Sequence, residues 1–380
     1  MIGIRTRQNL FYPLMLFIFS LLREIDSILI ERIGFSGSLL LTYIMFFAEF
    51  VAGLLLFLYH LSFLGGKKEV KILGIKLIQG NKNMNRPDKT FKIYFLIFMA
   101  AYFDFIEFMI TTIYISKYYC DASKTLYIRQ RCIMTLFTAF FCFYLLKFEI
   151  HRHQVLSLLI IFGCLIGIII SEYFFEEIPS NPIELTTIIF VIFIDYFFNS
   201  FIELIDKYLL EFDYVNPFQI LMLEGIFGLL FCTIYSFNEN PLKALKIFKK
   251  ENLPFLIIYL FLFFLFSCGR NSYRITTNKL FSPMTRALTD SVLDPFLVIY
   301  YYISGEDFNM KGKKKIIYFF INFFLLIIIV ICGAIYNEFM VLYCCKMEYD
   351  TYSEISIRAI NDKSLELLGT EKNDDDSDSD

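Results

Sequence analysis

Apolar runs of membrane-crossing length begin near Phe11, Ser38, Tyr94, Thr125, Val155, Leu185, Phe218, Pro254, Thr285 and Ile316, ten in all. Crossing roughly 30 Å of hydrocarbon takes about twenty helical residues. Lipid offers no partner to a backbone amide, so each run is expected to be an α-helix that satisfies its own hydrogen bonds. With 57% hydrophobic residues, 47 Phe and a mean hydropathy of +0.59, the chain is too apolar for a soluble domain of its length. A net charge of -3 without a basic stripe gives no reason to expect a nucleic-acid partner. Arg5 and Arg7 precede the first run as in a signal peptide, but no small-residue cleavage site follows, and Arg23, Glu24 and Asp26 come at once. A retained first helix is expected. The nine Cys are scattered through apolar segments without metal-ligand spacing, so they read as packing residues and no metal or other cofactor is expected.

Three short stretches recur in order. EIDSILIE (24–31) matches ELIDKYLLE (203–211), aligning Asp26 with Asp206 and Glu31 with Glu211. AEFVAGLLLF (48–57) matches LEGIFGLLFC (223–232), aligning Glu49 and Gly53 with Glu224 and Gly228. GIIISEYF (167–174) matches GAIYNEFM (333–340). The matches fall on runs one and six, two and seven, five and ten. A five-helix repeat crosses an odd number of times, so its second copy enters from the opposite side. The expected fold is therefore an all-α integral membrane protein of ten transmembrane helices, arranged as two inverted five-helix repeats. Residues 1–177 would form the first repeat, 178–343 the second, and 344–380 a disordered acidic cytosolic tail ending in NDDDSDSD. Eight Lys and Arg from Lys67 to Lys92 favour a cytosolic loop after the second run. The basic loops at Lys243–Lys250 and Lys311–Lys315 oppose that orientation in the second half. Both termini are expected in the cytosol.

Ionisable groups inside the runs are the next constraint, because each costs roughly 2.5–3.5 kcal/mol at a bilayer centre on insertion scales. The stretch SPMTRALTDSVLDPFLVIY (282–300) carries Arg286, Asp290 and Asp294. In the sixth run Asp195, Asn199, Glu203, Asp206 and Lys207 fall within a stripe of about 120°. The third run offers Asp104 and Glu107. Arg129 and Arg131 open the fourth run, and Arg270 and Asn271 sit late in the eighth. A guanidinium grips phosphate or carboxylate through paired hydrogen bonds. With Ser282 and Pro283 at its start, the ninth run could also aim a helix N-terminus at an anion. The competing reading is that these groups pair across helices and fix the bundle. Arg286 stands four residues from Asp290, so both readings stay open for it.

Smaller motifs point elsewhere. His151 and His153 lie in a loop with no acidic pattern for an acyltransferase or metalloprotease. Gly163 and Gly167 form a GxxxG that serves helix packing or a homodimer. Cys344 and Cys345 could carry palmitate, and Tyr352–Ile355 has the form of a tyrosine-based sorting signal for an adaptor at the tail.

EGIFGLLF (224–231), KYLLEFDYVNPFQ (207–219), SPMTRALTDSVLDPF (282–296) and GAIYNEF (333–339) together resemble the EamA-type drug/metabolite transporter superfamily. Within it the chain is most similar to the solute carrier 35 branch, F subfamily. FAEFVAGLLLF (47–57) and ASKTLYIRQR (122–131) extend the resemblance over roughly residues 11–343. The family's Thr-x-Arg and Asp-Ser fall on Thr285, Arg286, Asp290 and Ser291, its fourth-helix Arg on Arg129, and its seventh-helix Glu-Gly on Glu224 and Gly225. The chain departs from the family by its Phe-rich helices, by lacking Trp and by its second basic group, Arg131. The resemblance implies nucleotide-sugar exchange in an endomembrane (Golgi, ER or lysosome-like) rather than the plasma membrane.

These readings lead to one expectation. The chain is a secondary-active carrier, not an enzyme, moving a small anionic solute such as a nucleotide sugar by alternating access. Its substrate-binding residues would be Arg286, Arg129, Asn271, Asp290, Glu224 and Asp195. The alternative is a non-transporting membrane scaffold that binds a partner through loops and tail. In that case every intramembrane charge should be paired internally.

Overall fold

The computed structural model describes residues 2–4, 11–35, 38–63, 69–72, 75–78, 87–110, 131–175, 182–237, 241, 252–304 and 313–342, with 347, 351, 354–355 and 358 beyond them. Cys344, Cys345 and Tyr352 lie outside the described residues, as does Arg129. The helices are α1 (Phe11–Arg32), α2 (Ser38–Phe63), α3 (Pro87–Met109), α4 (Cys132–Tyr144), α5 (Arg152–Phe175) and α6 (Pro182–Glu211). They continue with α7 (Pro217–Ser236), α8 (Leu253–Leu280), α9 (Pro283–Ser291), α10 (Leu293–Ser304) and α11 (Lys313–Tyr336). Counting α9 and α10 as one helix broken at Val292, the described residues hold ten helices. The strands are minor: β1 (Ile2–Ile4) pairs antiparallel with β4 (Met340–Leu342), and β2 (Glu69–Ile72) with β3 (Ile75–Ile78).

Over Leu39–Tyr59, Arg152–Ser171, Pro217–Ser236, Leu253–Leu280 and Ile316–Tyr336, five helices are long and apolar enough to cross a membrane. The protein is a helical, multi-span membrane protein. Helices α1, α3 and α6 match these in length but carry internal charges. The β1–β4 ladder places residues 2–4 beside residues 340–342, so the two ends of the helical region meet on one side.

Local chemistry sets the helix boundaries. Asn216 caps α7 by accepting from the Phe218 amide at 2.9 Å, and Ser282 caps α9 by accepting from Thr285 at 3.2 Å. Each cap is followed by Pro at the first helical position, where a missing N–H costs nothing. The ninth run was expected to be one helix, and here the structure departs from expectation. Pro295 has no N–H to offer the Ser291 carbonyl four residues back, and its ring crowds that carbonyl, so the helix breaks just before it.

Exposure is inverted relative to a soluble protein. Leu159, Phe190, Phe261, Phe320 and Phe324 are exposed, whereas Glu49, Asp195, Glu203, Asp206, Arg274 and Asp294 are at most 3% exposed. On α6 the expected polar stripe faces inward and Phe193 and Phe197 face outward, but Ile192 is buried in the apolar core shared by α4, α5, α9 and α11. The principal packing partners are α2 with α7 and α8, α1 with α8, α3 with α6 and α7, α4 with α6 and α9, and α5 with α11.

Candidate functional site

Helix α8 organises the polar interior. Ser267, Arg270, Asn271, Arg274, Thr277 and Asn278 recur every three or four residues along one face. Arg274 holds the centre: its Nη2 donates to Glu49 Oε1 of α2 and to Glu224 Oε2 of α7, both at 2.9 Å. These carboxylates reach one guanidinium because α2 and α7 cross backbone to backbone. A Cβ on Gly53 would strike the Met222 backbone, and one on Gly225 would strike that of Phe50. Glycine is the residue that permits such an approach. Asp206 of α6 and Asp104 of α3 complete the acidic field around Arg274.

A second cluster forms where α6 meets α9. Arg286 is 2% exposed, forms an ion pair with Glu203 and lies 3.8 Å from Asp290 Oδ2 through Nε. Asn278 Nδ2 reinforces Glu203, reaching its Oε2 and its backbone carbonyl at 3.2 Å each. A third cluster joins α1, α4 and α10. Arg131 Nη2 meets Glu24 Oε1 at 3.3 Å and its Nε meets Asp294 Oδ1 at 3.7 Å, while Arg23 stands 3.4 Å from the same Glu24. Asp294 lies in the first turn of α10, where a carboxylate complements the helix dipole.

Arg270 differs from all of these. Among the described residues it forms no ion pair, and its Nε is buried without a hydrogen-bond partner. Its side chain is partly exposed and lies in the electrostatic reach of Arg23, Glu24, Glu49 and Glu107. Asn271, at 3% exposure, follows it on α8. Across from it Asn199 Nδ2 donates to Glu107 Oε1 at 3.3 Å, and Asp195, fully buried, acts on the same Glu107. Among the described residues, one guanidinium on the inner face of α8 thus keeps a buried N–H without an acceptor.

At the end of the bundle where α6 and α8 stop, two lysines cap each other's helices. Lys207 Nζ donates to the carbonyls of Asn278 at 3.0 Å and Phe281 at 2.6 Å, and Lys279 Nζ donates to the Leu210 carbonyl at 2.5 Å. Cations at helix C-termini oppose the dipole and fill otherwise orphaned acceptors. Beside them lies a cavity of about 310 Å³ lined by Lys207, Glu211, Ser282, Thr285, Asn337 and Glu338.

Of the residues named from sequence, the structure brings Glu224 to Arg274, joins Arg286 to Asp290, and puts Asn271 and Asp195 on the inner faces of α8 and α6. Arg274, Asn278 and Lys279 escaped the sequence reading. The available signal for Arg274 was its spacing of four from Arg270, which puts both on one helical face. No family model matches this chain, and no curated protein matches it.

Proposed function

We propose that the protein is a secondary-active transporter that moves a small anionic metabolite, a nucleotide sugar or a related solute, by alternating access across an endomembrane. Arg270 carries the reading. A partly buried guanidinium that makes no ion pair among the described residues is costly unless something else supplies the anion, and a transported solute does. A scaffold would have its inner charges paired internally, and among the described residues Arg270 is not. Asn271 beside it, with Arg23 facing it from α1, would orient the solute through further donors.

The packing supports a carrier built from two exchangeable halves. Exchange α1 with α6, α2 with α7, α3 with α8, α4 with α9 and α5 with α11. The α1–α8 contact then becomes α6–α3, α2–α8 becomes α7–α3, and α4–α6 becomes α9–α1, while α2–α7, α4–α9 and α5–α11 map onto themselves. Each of these contacts is made. That pattern is what two inverted repeats produce, and it agrees with the resemblance to drug/metabolite transporters and the solute carrier 35 branch. The break between α9 and α10 is of the kind that places half-helix ends at a transport site.

The test is exchange in proteoliposomes preloaded with mixed nucleotides, against labelled nucleotide sugars, comparing the native chain with Arg270→Gln. Saturable exchange that is lost in a folded variant supports the reading. Absence of exchange for every solute in the panel removes the nucleotide-sugar assignment. Exchange that is unchanged in Arg270→Gln removes Arg270 from the site.

A further inference from the structure

The α2–α7 crossing holds more acid than it can neutralise. Glu49, Asp206 and Glu224 approach Arg274, with Asp104 of α3 further out and Arg270 of α8 acting on Glu49. Arg274 donates through Nη2 to Glu49 and to Glu224. Asp206 is fully buried, and among the described residues no donor reaches either of its oxygens. The group within hydrogen-bonding reach of it is the Glu224 carboxyl, whose Oε1 is also buried and without a donor. Two carboxylates present only acceptors to each other. The contact becomes a hydrogen bond when one of them is a carboxylic acid.

We infer that Asp206 and Glu224 form a proton-binding site that holds one shared proton. Taken with the transport reading, on which this second step rests, that proton is the ion that drives the carrier. A proton arriving from water forms one O–H bond and removes one negative charge. When it leaves, three carboxylates face one guanidinium, and Glu224 is pushed from Asp206. Glu224 sits one residue from Gly225, where α2 and α7 touch through backbone, so the repulsion acts on the tightest contact in the bundle. Packed interfaces of this kind have discrete arrangements rather than continuous give.

The test uses the full chain in lipid nanodiscs. Infrared difference spectra recorded across a pH titration, in water and in D2O, read the C=O stretch of buried carboxylic acids. The expected result is a deuterium-sensitive component in the native protein that titrates and is lost in both Asp206→Asn and Glu224→Gln. It should persist in Asp26→Asn, which alters a buried acid on α1 outside the cluster. A native spectrum without such a component, or one indifferent to both variants, overturns the proton site. The native measurement decides even if a variant misfolds. Hydrogen exchange of α2 and α7 peptides then reads the coupling. Protection should change by roughly tenfold across the same titration in the native chain and stay flat in Glu224→Gln. A titrating component without that change overturns the driving role alone. Loss of the transport reading with the component intact leaves the proton site standing.

Discussion

Arg270 and Arg274 stand one turn apart on the same face of α8, and their surroundings differ in kind. Around Arg274, two helices cross at the limit of backbone contact, and two carboxylates accept from one guanidinium at 2.9 Å each. Around Arg270 no ion pair forms among the described residues, and the side chain stays partly exposed. The first region consumes its charge internally and the second withholds it. A protein in lipid can carry both because the costs have different remedies. A fixed carboxylate repays the burial of Arg274 permanently, whereas a solute would repay that of Arg270 only while bound.

The contrast breaks most visibly at Arg274. Arg274→Met leaves Glu49 and Glu224 buried without a counter-charge and should cost about 3–5 kcal/mol, seen as loss of monodisperse protein and a lower Tm in detergent. Adding Glu49→Gln and Glu224→Gln to that variant should restore most of the loss, because a neutral cluster no longer strands charge. A triple variant as unstable as the single one would show that the arginine acts by shape and not by charge. Gly225→Val comes next. Its side chain has no room against Phe50, and forcing α2 from α7 should cost about 1–3 kcal/mol in the same assay while stretching both bonds to Arg274.

How much of this could be read from the chain depends on how local the cause is. Helix starts were legible because caps and prolines are local: α1 and α2 begin at the expected Phe11 and Ser38. Helix α3 begins at Pro87, seven residues before the apolar run suggested by Tyr94, because its first turns are polar and hydropathy does not register them. Pro295 signalled the break in the ninth run, but the surrounding apolar residues read as one continuous span. The inner stripe of α6 followed from spacing alone. Arg274 did not, since its partners lie 225 and 50 residues away and only the α2–α7 crossing assembles them. For the same reason the sequence marked Arg286 without deciding its role. Its spacing from Asp290 was visible, whereas Glu203 joins it only through the packing of α6 against α9.

A smaller effect is expected at the start of α9, which carries Arg286 to Glu203. Ser282→Ala removes the cap from Thr285 and should cost about 1 kcal/mol. The shift should appear in Tm, with exchange kinetics at the saturating solute level unchanged. A kinetic defect at native Tm would mean that Ser282, which lines the cavity beside Lys207, serves a solute rather than a helix end.

The smallest change in stability belongs to the arginine with the largest expected effect on transport. Arg270→Gln removes no ion pair among the described residues, so its Tm should stay within the shift given by about 0.5 kcal/mol. Solute affinity should respond differently, because a hydrogen bond to a charged group contributes about 1.5–3 kcal/mol, equivalent to roughly ten- to a hundredfold in apparent affinity. Arg274→Met should show the opposite order, with stability lost first and exchange lost as a consequence. If Arg270→Gln destabilised the protein as much as Arg274→Met, then Arg270 would also be a structural counter-ion and the division along α8 would fail. A stable Arg270→Gln chain without exchange would separate the two turns of α8 into a fixed lock and a vacant grip.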